Sequence, residues 1–123
     1  MTSEVITIGS IAVGGGMGAI SRFWVSRGLF SSYPTMGTLT VNLLGSFLVV
    51  VIFRGGLGGS EFFRVGAAVG FCGSFTTFST FMVEVSRMLQ TGFWRLALLY
   101  LFVTLGGSLG AIFLALRLCA GLA

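Results

Sequence analysis

Residues 73–81, Gly-Ser-Phe-Thr-Thr-Phe-Ser-Thr-Phe, set hydroxyl groups and phenyl rings side by side inside an apolar stretch of membrane length. The chemistry open to them is hydrogen bonding to an ion or to water. An unpaired hydroxyl or peptide group is costly in hydrocarbon, so these residues must face a protein interior or a wet cavity. Gly73, Ser74, Thr76, Thr77, Ser79 and Thr80 are mediocre helix formers, and their clustering predicts a helix that breaks over 73–77 and restarts. A helix broken at membrane depth offers carbonyl oxygens from its first half and amides from its second, which makes an ion site without charged side chains. The plainer reading is an intact packing helix rich in Ser and Thr. Phe78 and Phe81, three residues apart, are expected on adjoining positions of one helical face. Ordinary packing explains either ring alone, but a phenyl ring has a positive edge, and rings presented edge-on can touch an anion without a full charge.

Two further polar lines accompany this segment. Thr38, Asn42 and Ser46 are spaced i, i+4, i+8 and share one helical face, and Tyr100, Thr104 and Ser108 repeat the pattern. Asn42 reads either as hydrogen-bond glue between helices or as an amide donor in an ion path. Arg22 reads as an interfacial snorkelling arginine, as part of an electropositive vestibule or as a structural hydrogen-bond partner. Glu84 and Arg87 lie one turn apart near a helix end, where they are placed to pair at the interface. The chain has no histidine, no acid–base pair inside the apolar segments and no Cys/His cluster, and its glycines lack the Lys-Ser/Thr of a phosphate loop. Enzymatic activity and ATP-driven pumping are thereby disfavoured, and passive permeation remains.

The elements that must position these groups follow from charge. Only 8% of the 123 residues are charged and 55% are hydrophobic. Cutting at the charges leaves uncharged runs 5–21, 28–53, 65–83 and 96–116, each near the length an α-helix needs to cross a bilayer. The expectation is an all-α membrane protein, a single transmembrane domain over 1–123 with helices at 5–27, 37–53, 62–88 (broken near its middle) and 94–118. Gly14/Gly18, Gly66/Gly70 and Gly106/Gly110 have the spacing that lets helices approach closely. The loop Arg54–Ser60 is flexible by its glycine content. The first run, with Glu4 in place of a basic flank, is not expected to be a cleaved signal. Cys72 and Cys119 read as small packing residues rather than a disulfide. The basic balance, seven arginines against three glutamates, suits membrane flanks and lipid rather than nucleic acid. Arg22, Arg27, Arg87 and Arg95 fall on one side and Arg54, Arg64 and Arg117 on the other. So even a split gives little orientation preference, and predicts a dual-topology chain forming an antiparallel two-fold dimer.

A lining of O–H and N–H donors with phenyl edges favours an anion, and fluoride is the small halide that accepts hydrogen bonds most strongly. Here the residues carry a resemblance. Gly14-Gly-Gly-Met-Gly-Ala-Ile-Ser-Arg22, Gly37-Thr-Leu-Thr-Val-Asn42 with Gly45-Ser46, and residues 73–81 together resemble the Fluc (CrcB) fluoride channel family across all four helices. The resemblance implies a bacterial inner-membrane fluoride exporter, an antiparallel homodimer with two pores that conducts passively and selectively. It implies Asn42 as a pore donor, Phe78 and Phe81 as a phenyl box and Tyr100, Thr104 and Ser108 as a polar track, and Arg22 matches the family's helix-one arginine; Thr38, Ser79 and Thr80 are expected along the pathway from their own places on the polar line and in the break. It also implies a structural Na⁺ on the dimer axis, held by the main-chain carbonyls of Gly73 and Thr76 from each subunit. Ser74 and Val50 stand where the family often has glycine. The rival is a dual-topology, proton-coupled exporter of cationic drugs, which needs a carboxylate inside the membrane, whereas Glu4 and Glu84 lie at helix ends. A purely structural membrane subunit is the other alternative.

Overall fold

The computed structural model describes residues 1–55 and 59–121, and every regular element in them is helical. Helix α1 covers Thr2–Trp24 and relaxes into a wide π turn over Val25–Leu29. Helix α2 covers Pro34–Arg54, with Pro34 in its first turn, where a missing N–H leaves nothing unpaired. The proline therefore starts this helix three residues before the expected Gly37. Helix α3 opens at Glu61–Val65, widens into π geometry over Gly66–Cys72 and closes with one α turn, Gly73–Phe75. Ser60 caps it by accepting from the Phe63 N–H at 3.3 Å. Helix α4 covers Ser79–Gln90 and helix α5 Trp94–Gly121. Between them Gly92 adopts φ +81°, and its N–H and that of Phe93 close back on the Leu89 and Met88 carbonyls, a helix stop that only glycine makes without strain. The glycine-rich loop expected to be flexible includes Gly56–Gly58, which lie outside the described residues.

Four helical spans, Thr2–Leu29, Pro34–Arg54, Glu61–Gln90 and Trp94–Gly121, are long and apolar enough to cross a membrane. Helix α1 packs along α3 through glycine. A methyl group on Gly14 would meet the Gly66 carbonyl and one on Gly18 the Phe71 carbonyl, while Gly66 and Gly70 seat Ser10 and Ile11 in return. The Gly106/Gly110 pair behaves otherwise. Both are exposed with open space where a side chain would project, so within one chain they pack against nothing. Helix α2 lies between α3 and α5. One apolar cluster, Phe81, Val85, Ala97 and Tyr100, joins α4 to α5; another, Ile52, Ala68 and Cys72, joins α2 to α3. Cys72 and Cys119 are free and buried. Phe102, Leu109 and Phe113 of α5 face outward, as a surface that meets lipid or a second chain must.

Candidate ion pathway

The helix break is made by side chains that capture backbone groups. Asn42 Oδ1 accepts from the Thr77 N–H at 2.8 Å and Asn42 Nδ2 donates to the Thr77 carbonyl at 3.0 Å. The Thr77 hydroxyl in turn accepts from the Thr80 N–H at 3.3 Å and donates to Thr80 Oγ1 at 3.1 Å, with Ser79 Oγ 3.5 Å away. In an uninterrupted helix the N–H groups of Thr77 and Thr80 would bond the carbonyls of Gly73 and Thr76; both are redirected. Thr76 is extended, with ψ 159°, and between α3 and α4 only residues 76–78 are non-helical. The break therefore begins later than the expected 73–77, and Gly73 itself keeps helical angles, φ −61° and ψ −34°. Relieved of their helical donors, the Gly73 and Thr76 carbonyls are hard oxygen ligands of the kind a small cation takes. Among the described residues no group of three His, Cys, Asp or Glu side chains is placed to hold a metal ion.

The two polar lines meet across the α2–α5 contact. Asn42 and Ser46 of α2, Thr104 and Ser108 of α5, and Thr76, Thr77, Phe78 and Phe81 around the break line one cavity of about 220 Å³. Thr104 is 3% exposed and its hydroxyl has no hydrogen-bond partner. A buried hydroxyl left so is destabilising unless something fills the cavity and accepts from it. Asn42, by contrast, commits its carbonyl and one N–H to Thr77, leaving its second N–H to the cavity. The glue reading describes the two bonds that Asn42 makes, and the donor reading rests on its second N–H alone.

The phenylalanines do not share a face as their spacing suggested. Phe78 lies in the non-helical segment and is 70% exposed, whereas Phe81 is 2% exposed in the first turn of α4. The rings stand 6.2 Å apart at 56°, and Phe81 meets Tyr100 edge-on at 5.1 Å. Both border the cavity.

Beyond the cavity lies a basic approach. Arg22, half-buried in the last turn of α1, lines a space of about 350 Å³ with Phe23, Ser26, Arg27, Thr38, Thr77 and Thr80. Arg27 lies over the Phe23 ring at 6.0 Å. The expected Glu84–Arg87 pair is not what forms. Glu84 turns inward and accepts from Thr38 Oγ1 at 2.9 Å and from Tyr100 OH at 2.6 Å. Glu84, Thr77 and Arg27 also border these spaces and were not among the site residues expected from the sequence. For Glu84 the signal was its place inside a span of Glu61–Gln90, since an ionisable group at membrane depth is expensive enough to require partners.

Comparison with known proteins places this constellation in a lineage. Residues 10–116 match the family model described as CrcB-like protein, Camphor Resistance (CrcB). A protein of Leptospira interrogans named fluoride-specific ion channel FluC is 42% identical over 111 residues, covering 84% of this chain and 86% of the relative. One of the same name from Acinetobacter baumannii is 39% identical over 115 residues, 90% of each chain. A third, from Chlorobium chlorochromatii, is 38% identical over 121 residues, 94% of each.

Proposed function

Since this chain belongs to the CrcB family, we propose that it is a passive, selective fluoride channel of the bacterial inner membrane that lowers cytoplasmic fluoride. The observation that carries the reading is the Thr104 hydroxyl, buried without a partner in a cavity ringed by Asn42, Ser46, Ser108 and two phenyl rings. A small anion that accepts hydrogen bonds strongly would satisfy it. Such a donor set replaces lost hydration without a fixed positive charge to trap the ion. Fluoride approaches through the Arg22 and Arg27 space, gives up water to hydroxyls at Thr38, Ser79 and Thr80, and passes Asn42, Thr104 and Ser108 beside the Phe78 and Phe81 edges.

The working unit in this reading is an antiparallel homodimer with two pores. It is supported by the even split of arginines and by Phe78, Gly73, Gly106 and Gly110, which lie exposed in the single chain where a second copy would cover them. A Na⁺ at the subunit junction, held by the Gly73 and Thr76 carbonyls of both subunits, would lock the break and tie the halves together. The loss of the helical donors of both carbonyls to Asn42 and Thr77 suits that role. The relatives are named as ion channels, which lends no support to a proton-coupled drug exporter.

The test is efflux from liposomes holding the purified protein in Na⁺ buffer, with fluoride and chloride compared under the same gradient. Rapid fluoride loss without chloride loss is expected. No fluoride flux from folded protein would return the chain to a structural role.

A further inference from the structure

Gly45 is buried one turn beyond Asn42 on α2 and brings no side chain to the pathway. A methyl group placed on it would overlap a single atom, the Thr76 Cγ2, while the next neighbours, Phe75 Cδ1 and Thr76 Cβ, stand in ordinary contact at 3.6 Å. In this it differs from Gly14 and Gly18, whose nearest neighbours are backbone atoms of α3. The methyl that Gly45 seats is not free to turn away. Thr76 Oγ1 donates to the Cys72 carbonyl at 2.9 Å, and the Thr76 N–H donates to the same oxygen at 3.0 Å. With the hydroxyl so fixed, the methyl of this β-branched side chain has one direction left. Giving up the hydroxyl bond inside an apolar span is costly.

Thr76 also stands between two cavities. One is the space lined by Asn42 and Thr104; the other, also about 220 Å³, is lined by Gly45, Val49, Ala68, Cys72 and Gly73, and Ser46 and Thr76 border both. The Thr76 carbonyl and the Thr77 N–H belong to one planar trans peptide, so they point in opposite directions. Asn42 Oδ1 accepts from that N–H at 2.8 Å, which turns the carbonyl away from Asn42. Two residues of α2, three apart, therefore hold one peptide unit: Asn42 binds its N–H, and Gly45 admits the residue before it.

We infer that Gly45 is a positioning residue of the ion path, whose missing side chain lets Thr76 lie against α2 and so keeps the 76–77 peptide within reach of Asn42. This rests on the channel reading above. A side chain at position 45 lifts Thr76 off α2 and draws the Thr77 N–H away from Asn42 Oδ1. The Asn42 amide is then free to rotate, its second N–H leaves the cavity, and the Thr76 carbonyl swings with the peptide. A glycine that only packed would cost stability when replaced and leave conduction by the folded molecules unchanged.

The experiment is fluoride efflux per folded, reconstituted protein for wild type, Gly45→Ala, Thr76→Ser and the two together. Serine keeps the hydroxyl bond to Cys72 and the carbonyl but lacks Cγ2, the one atom that a methyl on position 45 would overlap. Gly45→Ala is expected to lower efflux about tenfold, equivalent to about 1.4 kcal/mol on the barrier. Thr76→Ser alone is expected to conduct at close to the wild-type rate, and the double variant to return to the Thr76→Ser rate. Unchanged efflux from folded Gly45→Ala overturns the inference, because the glycine would then only pack. A double variant no better than Gly45→Ala overturns it as well, because the added methyl would be acting through something other than Thr76. Should Gly45→Ala not fold, the double variant carries the test: folding with conduction at the Thr76→Ser rate sustains the inference, and failure of either overturns it. Absence of fluoride efflux in wild type defeats the channel reading and the inference with it, whereas a conducting wild type with an undiminished Gly45→Ala defeats the inference alone.

Discussion

In the proposed pathway Thr104 separates what a residue does for the fold from what it does for an ion. Its hydroxyl is buried and unpartnered, so within the protein it contributes nothing and costs about 1–3 kcal/mol of desolvation. Thr104→Val keeps the shape and removes that cost. The expected outcome is thermal stability in detergent equal to wild type or higher, by about 1 kcal/mol, together with a fall in fluoride efflux. Undiminished efflux from the valine variant would remove the hydroxyl from the path. Asn42 would not separate the two roles, because its side chain also holds the Thr77 backbone open. The difference between these polar residues is invisible in the chain, where both sit on i, i+4 lines in apolar segments. Periodicity shows which side chains share a face. Whether each is spent depends on partners far along the chain, Thr77 lying 35 residues from Asn42 and Glu84 46 from Thr38.

At the level of elements, the apolar runs made the four spans legible, because a bilayer-length segment without charge has few other uses. The break was legible as a feature and misplaced in detail. Weak helix propensity at Gly73 and Ser74 pointed to an early break, yet both residues remain helical, and the interruption falls where Asn42 and the Thr77 hydroxyl outbid the helix for its N–H groups. The glycine pairs divide the same way, Gly14/Gly18 being a contact and Gly106/Gly110 open within one chain. Gly18→Ala drives a methyl into the Phe71 carbonyl, and backbone on both sides leaves no flexible group to yield. A loss of about 2 kcal/mol or more is expected, read as a lower melting temperature of the detergent-solubilised protein. Gly16→Ala, on the same helix with nothing within 4 Å, should be neutral or gain up to about 1 kcal/mol from helix propensity. Equal effects from the two substitutions would mean that α1 is not held against α3 by close approach.

At the scale of the whole molecule, the single chain leaves one wall of the cavity open. Phe78 is 70% exposed beside the cavity it borders, and a phenyl edge that faces outward cannot help to enclose an ion until something covers it. A second copy in the opposite sense would do so at both ends alike, and the charge pattern permits it. With Arg22, Arg27, Arg87 and Arg95 set against Arg54, Arg64 and Arg117, the excess that normally fixes orientation is a single charge. Opposite orientations should then coexist. Cys72 and Cys119 are buried and free, so replacing both by Ala and introducing Ser32→Cys in the exposed α1–α2 turn gives one reporter. In sealed vesicles an impermeant thiol reagent should label about half of these cysteines from outside, the rest reacting only after permeabilisation. Labelling of all or none would mean one orientation, and a two-fold dimer with its axis in the membrane plane would be impossible, because that symmetry requires equal numbers of each.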